Sequence, residues 1–156
     1  MPDKLRFLPG RSGYVARARE VFADQLSKRG LRLTSQRAAI LDFLLAADRH
    51  VSIDEILKAL GAAGVGRATV FRTLKVLLES DLVSRVSGPQ GAARFEVNLE
   101  RPHHDHLICT VCGDITEVRW PKLEKIQHRV CQKAGFEPSW HRHEIFGRCR
   151  TCRGKE

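Results

Sequence analysis

The chain has 156 residues, of which 42% are hydrophobic, and it carries a formal net charge of +9. This length allows one domain or two small ones, and no apolar run is long enough to span a bilayer. Residues 1–14 lack the continuous apolar core of a signal peptide. We therefore expect a cytoplasmic protein whose five cysteines bind metal rather than form disulfides. The excess positive charge favours a polyanionic partner.

Four helices are predicted between residues 14 and 80, after an irregular arm over residues 1–13. The first covers Tyr14–Arg29, where apolar residues recur at helical spacing. Thr34 is placed to cap the second helix. Ser52 and Glu55 form the pattern of a capping box at the start of the third, since each side chain can satisfy the other residue's amide. The fourth helix is predicted over Arg67–Ser80.

The fourth predicted helix carries Ala68, Arg72 and Lys75 opposite its apolar face. A small residue beside arginine and lysine suits entry into a major groove, where Arg can bridge acceptors on a base edge. Residues 82–86 and 93–97 alternate like the two strands of a hairpin. Three helices followed by a hairpin predict a winged helix that binds DNA. The alternative is a small helical domain that binds another protein.

The second half of the chain has a different pattern. A polar connector over residues 98–106 precedes two predicted strands, His106–Val111 and Asp114–Trp120. Pro121 begins a predicted helix that continues to about residue 134, and residues 141–147 alternate as a third strand. We therefore predict an α+β protein with a DNA-binding domain over residues 1–97 and a small metal-binding domain over residues 98–156.

Two Cys-x-x-Cys pairs indicate a structural zinc site, because four thiolates complete a tetrahedral shell. The pairs are Cys109 with Cys112 and Cys149 with Cys152. A run of metal-favouring residues, 103–106, directly precedes the first pair and cannot belong to that closed shell. In an extended run His104 and His106 share one face, and His103 and Asp105 share the other. One tetrapeptide can therefore serve two further metal sites.

With these motifs in this order, the sequence resembles the ferric uptake regulator family. The resemblance rests on three stretches and covers residues 14–152 in the family's order: residues 30–37 (GLRLTSQR), residues 67–74 (RATVFRTL) and residues 103–113 (HHDHLICTVCG). It implies a homodimeric, metal-dependent transcriptional repressor of double-stranded DNA operators, with an N-terminal winged helix and a C-terminal α/β dimerisation domain. Pairing of dimers into tetramers is left open.

The resemblance also implies the ligand sets. Structural Zn²⁺ would bind Cys109, Cys112, Cys149 and Cys152. A regulatory site between the domains would use His50, Glu96, His104, His106 and Glu117. A third site would use His103, Asp105, Glu124 and His141. The residues predicted to contact DNA are Arg32, which matches a basic residue that enters the minor groove, and Arg67, Thr69, Phe71, Arg72 and Lys75 at the fourth helix.

The regulatory ion is predicted to be Fe²⁺, with Zn²⁺ and Mn²⁺ as alternatives that the same nitrogen and oxygen donors accept. In the peroxide-sensing branch aspartates stand at the positions of Glu96 and Glu117, and in the zinc-sensing branch a cysteine usually serves the regulatory site. Zinc-, manganese- and peroxide-sensing members remain alternatives. Phe71 departs from the family, which most often has Tyr there.

Two functions of other classes are also compatible with metal ligands: a metal-dependent hydrolase, and a metal store or zinc-stabilised interaction module. No zincin helix, nucleophile elbow or phosphate-binding glycine loop occurs in the sequence, so we predict that the protein is not an enzyme. The roles of Cys131, His128 and His143 are left open. His143 competes with His141 for the third site, and we favour His141.

Overall fold

The computed structural model describes residues 11–88, 91–99 and 101–154. The chain forms two compact units, one comprising Met1–Val86 and Ala93–Arg101 and the other comprising Ser87–Ala92 and Pro102–Glu156. Most of the predicted arm, residues 1–10, lies outside the described residues. No helix in the described ranges is long and apolar enough to cross a membrane.

The first unit contains four helices, α1 (Arg11–Ser27), α2 (Ser35–Ala47), α3 (Ile53–Leu60) and α4 (Arg67–Glu79). Each predicted helix is present, and both predicted N-terminal caps are confirmed. The Thr34 hydroxyl accepts from the Arg37 amide at 3.3 Å, and Ser52 and Glu55 form the full capping box. A single 3₁₀ turn, Gly61–Ala63, which the sequence did not predict, follows α3.

The core of the first unit lies where the apolar faces of its helices meet. Its fully buried side chains include Phe22, Leu26, Ile40, Leu41, Ile56, Val70 and Leu77. Burying a side chain of this size contributes about 1.5–3 kcal/mol before conformational entropy is subtracted. This packing fixes α4 with its opposite face outward, as a groove-reading helix requires.

A two-stranded hairpin of β1 (Val83–Ser87) and β2 (Ala93–Val97) follows α4. The predicted winged-helix arrangement is therefore confirmed. The sequence did not reveal that Val51 extends this hairpin. Val51 and Phe95 exchange two backbone hydrogen bonds, at 2.9 and 2.8 Å, across an antiparallel bridge.

The second unit is a three-stranded sheet with one main helix. Its strands are β3 (Asp105–Cys109), β4 (Ile115–Val118) and β5 (Glu144–Gly147), in the order β4-β3-β5. β3 pairs antiparallel with β4 and parallel with β5. The helix α5 (Pro121–Lys133) connects β4 to β5, and a short helix α6 (Arg150–Arg153) ends the described chain. The α+β class is confirmed.

All three strands of the second unit differ in extent from the sequence expectations. β3 covers Asp105–Cys109 rather than His106–Val111, and β4 covers Ile115–Val118 rather than Asp114–Trp120. The third strand begins at Glu144 rather than His141, because the parallel pairing of β3 with β5 begins with His106 beside Glu144. The sequence did not predict α6, which is only four residues long and therefore has no helical period to detect. The predicted domain boundary after residue 97 stays a prediction.

Candidate functional site

Four cysteine sulfurs meet in the second unit. Cys109 and Cys112 flank the turn that follows β3, and Cys149 and Cys152 stand at the start of α6 and within it. All four Sγ atoms lie within 4.8 Å of one another, and none forms a disulfide. Two thiolates bound to one tetrahedral Zn²⁺ stand about 3.8 Å apart. The separation of 3.7 Å between the Cys112 and Cys149 sulfurs therefore fits a shared zinc ion.

Backbone hydrogen bonds and burial shift the pKa values of the cysteine thiols in different directions. Amide N–H groups of Cys112 and Cys149 point at the Cys109 sulfur and lower the pKa of that thiol to about 6. Burial raises the pKa of the Cys152 thiol to about 12, and the neighbouring thiols add to this effect. Without a cation the cluster cannot hold four negative charges, whereas a divalent ion would neutralise them. This chemistry is that of a closed structural zinc site.

A second group of donors in the same unit joins His103, Asp105, Glu124 and His141. The Glu124 Oε1 atom lies 3.1 Å from His141 Nε2 and 3.6 Å from His103 Nε2, and the two imidazole centroids are 4.3 Å apart. Asp105 is 2% exposed. Its Oδ1 atom faces His103 Nε2 at 3.2 Å.

The buried Asp105 carboxylate decides what this group can hold. Among the described residues neither of its oxygens has a hydrogen-bond partner, and the facing His103 imidazole balances its charge only when that imidazole is protonated. A buried charge without hydrogen bonds is costly unless a cation balances it. Two imidazoles and two carboxylates converging on one point fit a divalent metal with nitrogen and oxygen ligands.

A buried imidazole–carboxylate pair lies in the first unit. The Val51–Phe95 bridge sets His50 opposite Glu96, so that His50 Nε2 lies 3.2 Å from Glu96 Oε2. The two residues are 9% and 2% exposed. Ser84 Oγ donates to the other Glu96 oxygen at 3.0 Å, and Arg101 Nη1 donates to Oε2 at 3.0 Å. The sequence predicted the pair but gave no indication of these two partners.

A pair of histidines in the second unit completes the predicted regulatory set. His104 and His106 share a face, with ring centroids 4.9 Å apart. The strand register puts Glu117 of β4 directly opposite His106, and Glu144 of β5 stands beside His106 on the other flank. Glu144 was not singled out from the sequence, since its proximity depends on the β3–β5 register. The predicted joining of these residues with His50 and Glu96 stays a prediction.

The outward face of α4 presents the predicted DNA-contacting residues. Arg67, Phe71, Arg72 and Lys75 are exposed and Thr69 is partly buried, with Phe71 52% exposed as a residue. An aromatic ring exposed among cationic side chains is unusual on a solvated surface and suits contact with thymine methyl groups. Arg32 is also exposed, ahead of α2.

Neighbouring side chains orient two of the predicted DNA contacts. Arg37 Nη1 donates to the Arg32 carbonyl at 2.6 Å, which orders the segment leading into α2. At the first turn of α4, the Arg67 guanidinium pairs with Asp54 at 2.8 Å. The first contact involves the backbone that carries Arg32, whereas the second engages the Arg67 guanidinium itself.

The residues left open by the sequence lie around α5. His143 contacts the Gln127 side chain, whereas His141 contacts Glu124 of the third group. His128 and Cys131 line a shallow pocket together with Phe136. These contacts place His141 within the third group.

A winged helix joined to a unit that gathers thiolate and imidazole–carboxylate clusters defines the class of metal-responsive DNA-binding regulators. Residues 28–146 match the model of the Ferric uptake regulator family, and the chain belongs to that family. Members of the family are metal-responsive transcriptional regulators, which confirms the function class expected from the sequence.

Named relatives and a solved structure agree with this assignment. The chain is 36% identical over 135 residues to the Peroxide operon regulator of Bacillus subtilis (strain 168), covering 85% of this chain and 92% of the relative. It is 35% identical over 140 residues to the Ferric uptake regulation protein of Campylobacter upsaliensis, covering 87% and 89%. The Helicobacter pylori ferric uptake regulator Fur, described as having three functional metal binding sites, superposes with a TM-score of 0.81 at 26% identity, covering 91% of this chain and 95% of that one.

Proposed function

We propose that the protein is an Fe²⁺-sensing repressor that binds palindromic A·T-rich operators as a homodimer when its regulatory metal is bound. The buried His50–Glu96 pair carries the proposal, since an imidazole and a carboxylate 3.2 Å apart with almost no solvent exposure form half of a metal site. His104, His106 and Glu117 supply the other half. The donors are nitrogen and oxygen only, which Fe²⁺ accepts and which allows reversible binding.

The two half-sites belong to different units of the chain, and this division explains how metal would control DNA binding. An ion that takes ligands from both units restricts their relative orientation. In a homodimer that orientation sets the spacing of the two α4 helices. Metal then binds the DNA-competent arrangement more tightly than other arrangements, which is the differential affinity that coupling requires.

The cysteine cluster has a different role in this proposal. Four thiolates hold Zn²⁺ permanently and stabilise a small second unit, because the free energy of metal binding becomes free energy of folding. The third donor group, around Asp105, holds a further divalent ion that stabilises the same unit.

The second unit also supports the homodimer. Its sheet ends in β5, a short edge strand, and an unusual number of large apolar side chains in this unit are exposed. They are Val111, Ile126, Val130, Phe136, Trp140, Ile145 and Phe146. Such a surface on a small domain favours association. Sedimentation of the zinc-loaded protein would distinguish a dimer from the tetramer that the sequence also allowed.

The decisive experiment is an electrophoretic mobility shift on a palindromic A·T-rich duplex. It uses the zinc-loaded protein under anaerobic conditions with added Fe²⁺, Mn²⁺ or Zn²⁺. Fe²⁺ is expected to promote binding at the lowest free concentration. Replacing Glu96 by Gln and His104 by Ala together should abolish the stimulation and leave a folded protein that retains zinc. Equal binding with and without metal would instead identify a constitutive DNA-binding protein.

A second candidate is a peroxide-responsive repressor, which the similarity to the Bacillus subtilis regulator favours. Its operator complex would dissociate when hydrogen peroxide is added to the Fe²⁺-loaded protein but not to the Mn²⁺-loaded protein. An Fe²⁺ complex that survives peroxide would support the iron-sensing proposal. Hydrolytic turnover of a phosphate or peptide ester would favour the hydrolase alternative.

A further inference from the structure

The carboxylate of Glu96 already carries a cation supplied by its own chain. Arg101 Nη1 donates to Glu96 Oε2 at 3.0 Å, and His50 Nε2 lies 3.2 Å from this same oxygen. The carboxylate is 2% exposed, whereas the Arg101 side chain is 26% exposed. The oxygen that faces the imidazole is therefore also the oxygen that the guanidinium neutralises.

Several hydrogen bonds to the backbone position the segment that carries Arg101. The Asn98 amide donates to the Leu82 carbonyl at 2.9 Å, and the Arg101 amide donates to the Asn98 carbonyl at 3.0 Å. The Tyr14 hydroxyl donates to the Leu99 carbonyl at 2.9 Å. Residues 98, 99 and 101 are thus held on the first unit, and the Arg101–Glu96 ion pair is the last contact of this series before Pro102.

The Arg101–Glu96 ion pair should weaken metal binding at His50 and Glu96 for electrostatic reasons. A buried carboxylate is costly without a counter-ion, and Arg101 supplies one from within the chain. A divalent cation approaching His50 and Glu96 meets a carboxylate whose charge is already balanced. It is also repelled by the guanidinium, and screening is weak at a site that excludes water.

We infer that Arg101 is an internal competitor of the regulatory metal and sets the metal concentration at which the site fills. The inference rests on the proposed function, because it takes His50 and Glu96 as ligands. Filling of the site weakens or breaks the Arg101–Glu96 contact. Residues 98, 99 and 101 are then held on the first unit by one contact fewer, shortly before the histidine run.

The test uses the full-length, zinc-loaded protein and Co²⁺ as the probe, because Co²⁺ absorbs in the visible range. The relevant signal is the component of Co²⁺ binding that Glu96→Gln removes. For Arg101→Gln, the dissociation constant of this component should fall by roughly three- to tenfold, a fraction of a charge-assisted hydrogen bond after allowance for solvent exposure. Arg101→Lys keeps the charge and should remain near the wild-type value.

A matched control removes an arginine from an ion pair that includes no predicted ligand. Arg19 pairs with Asp42, so Arg19→Gln changes the net charge equally and should leave Co²⁺ affinity unchanged. A second measurement is thermal unfolding. Arg101→Gln should lower the melting temperature of the protein without Co²⁺, because Glu96 stays buried without its counter-ion, and should increase the rise that Co²⁺ produces.

Three outcomes would overturn the inference. If Glu96→Gln removes no Co²⁺ component, the proposed function fails and the inference fails with it. If that component exists but Arg101→Gln leaves it unchanged or weaker, the inference alone fails and Arg101 is a supporting residue of the site. Arg101→Met replaces the Gln variant if that variant does not fold. If neither variant folds, Arg101 is a folding residue and not a competitor.

Discussion

The Sγ atoms of Cys112 and Cys149 lie 3.7 Å apart although 37 positions separate them in the chain. This closure joins the turn after β3 to the start of α6, the two ends of the second unit's sheet region. A zinc ion at this point would restrain a long loop of the unfolded chain as well as neutralise the thiolates. The first prediction follows from this relationship.

Replacing Cys112 by Ser should remove the zinc and unfold the second unit, because structural zinc contributes many kcal/mol to folding in small modules. Metal analysis should show one zinc fewer per chain, and limited proteolysis should cleave after residue 101 much faster than in the wild type. Cys131→Ser is the control, since Cys131 lies on α5 and outside the thiol cluster. A Cys112→Ser protein that keeps its zinc would refute the four-cysteine assignment.

Replacing Asp105 by Asn should abolish one divalent site without unfolding the protein. The carboxylate is buried and forms no hydrogen bond among the described residues, so the neutral amide removes a buried charge that a bound divalent ion would otherwise balance. Equilibrium dialysis with Mn²⁺ should show one ion fewer per chain. In the absence of Mn²⁺ the melting temperature should stay equal or rise.

The control for Asp105 is His128→Ala on the exposed side of α5, which should leave the number of bound ions unchanged. A markedly lower melting temperature of the metal-free Asp105→Asn protein would contradict this account. It would mean that the carboxylate has a stabilising partner in the folded chain.

The Glu55 carboxyl group should make the stability of the folded protein depend on pH. Burial would raise the pKa of its carboxyl group, but hydrogen bonds from Ser52 and an ion pair with Arg49 outweigh this effect and lower the pKa to about 2 from 4.5. Because the folded-state pKa is depressed, the stabilisation is present above about pH 4.5 and is lost as the pH falls toward 2. Glu55→Gln should therefore destabilise the protein by about 1–2 kcal/mol at pH 7.

The difference between wild type and Glu55→Gln should shrink as the pH falls below 4.5. Carbon-detected NMR titration of the Glu55 carboxyl group provides a direct measurement of its pKa. A midpoint near 4.5 would contradict the prediction, because the capping box and the ion pair would then not favour the charged form. Glu137, an exposed glutamate beyond α5, is an internal reference in the same spectra.

Arg72 and Lys75 should affect DNA binding in different ways. If Arg72 bridges a base edge, Arg72→Ala should lose about 1–3 kcal/mol on the operator and much less on unrelated DNA. If Lys75 contacts a phosphate, Lys75→Ala should weaken both complexes similarly and reduce the salt slope by about one ion. Competition binding at several salt concentrations measures both effects. Lys122→Ala, on the exposed start of α5, should change neither.

Local chemistry explains which features could be predicted from the sequence. The capping box of Ser52 and Glu55, the Pro121 start of α5 and the two Cys-x-x-Cys pairs each depend on residues close in the chain. They formed as expected because their determining interactions are short-range. The fold class followed from the order of these elements.

Long-range pairing explains what the sequence did not reveal. The Val51–Phe95 bridge joins residues that are far apart in sequence, and a single bridge has no periodicity. The positions of Arg101 beside Glu96 and of Glu144 beside His106 depend on how chain segments return to one another. Arginine and glutamate are common on surfaces, so their types alone gave no indication of these contacts.

The alternation of side chains along β3 has an evolutionary consequence. Asp105 contributes to one group of donors and its neighbour His106 to another. Deleting His104, the residue immediately before this strand, would remove a donor of one group and move His103 to the face that serves that group, so both donor sets would be disrupted at once. A substitution can alter either group of donors separately, whereas an insertion or deletion at this point disrupts both. We therefore expect related sequences to differ here by substitutions and not by insertions or deletions.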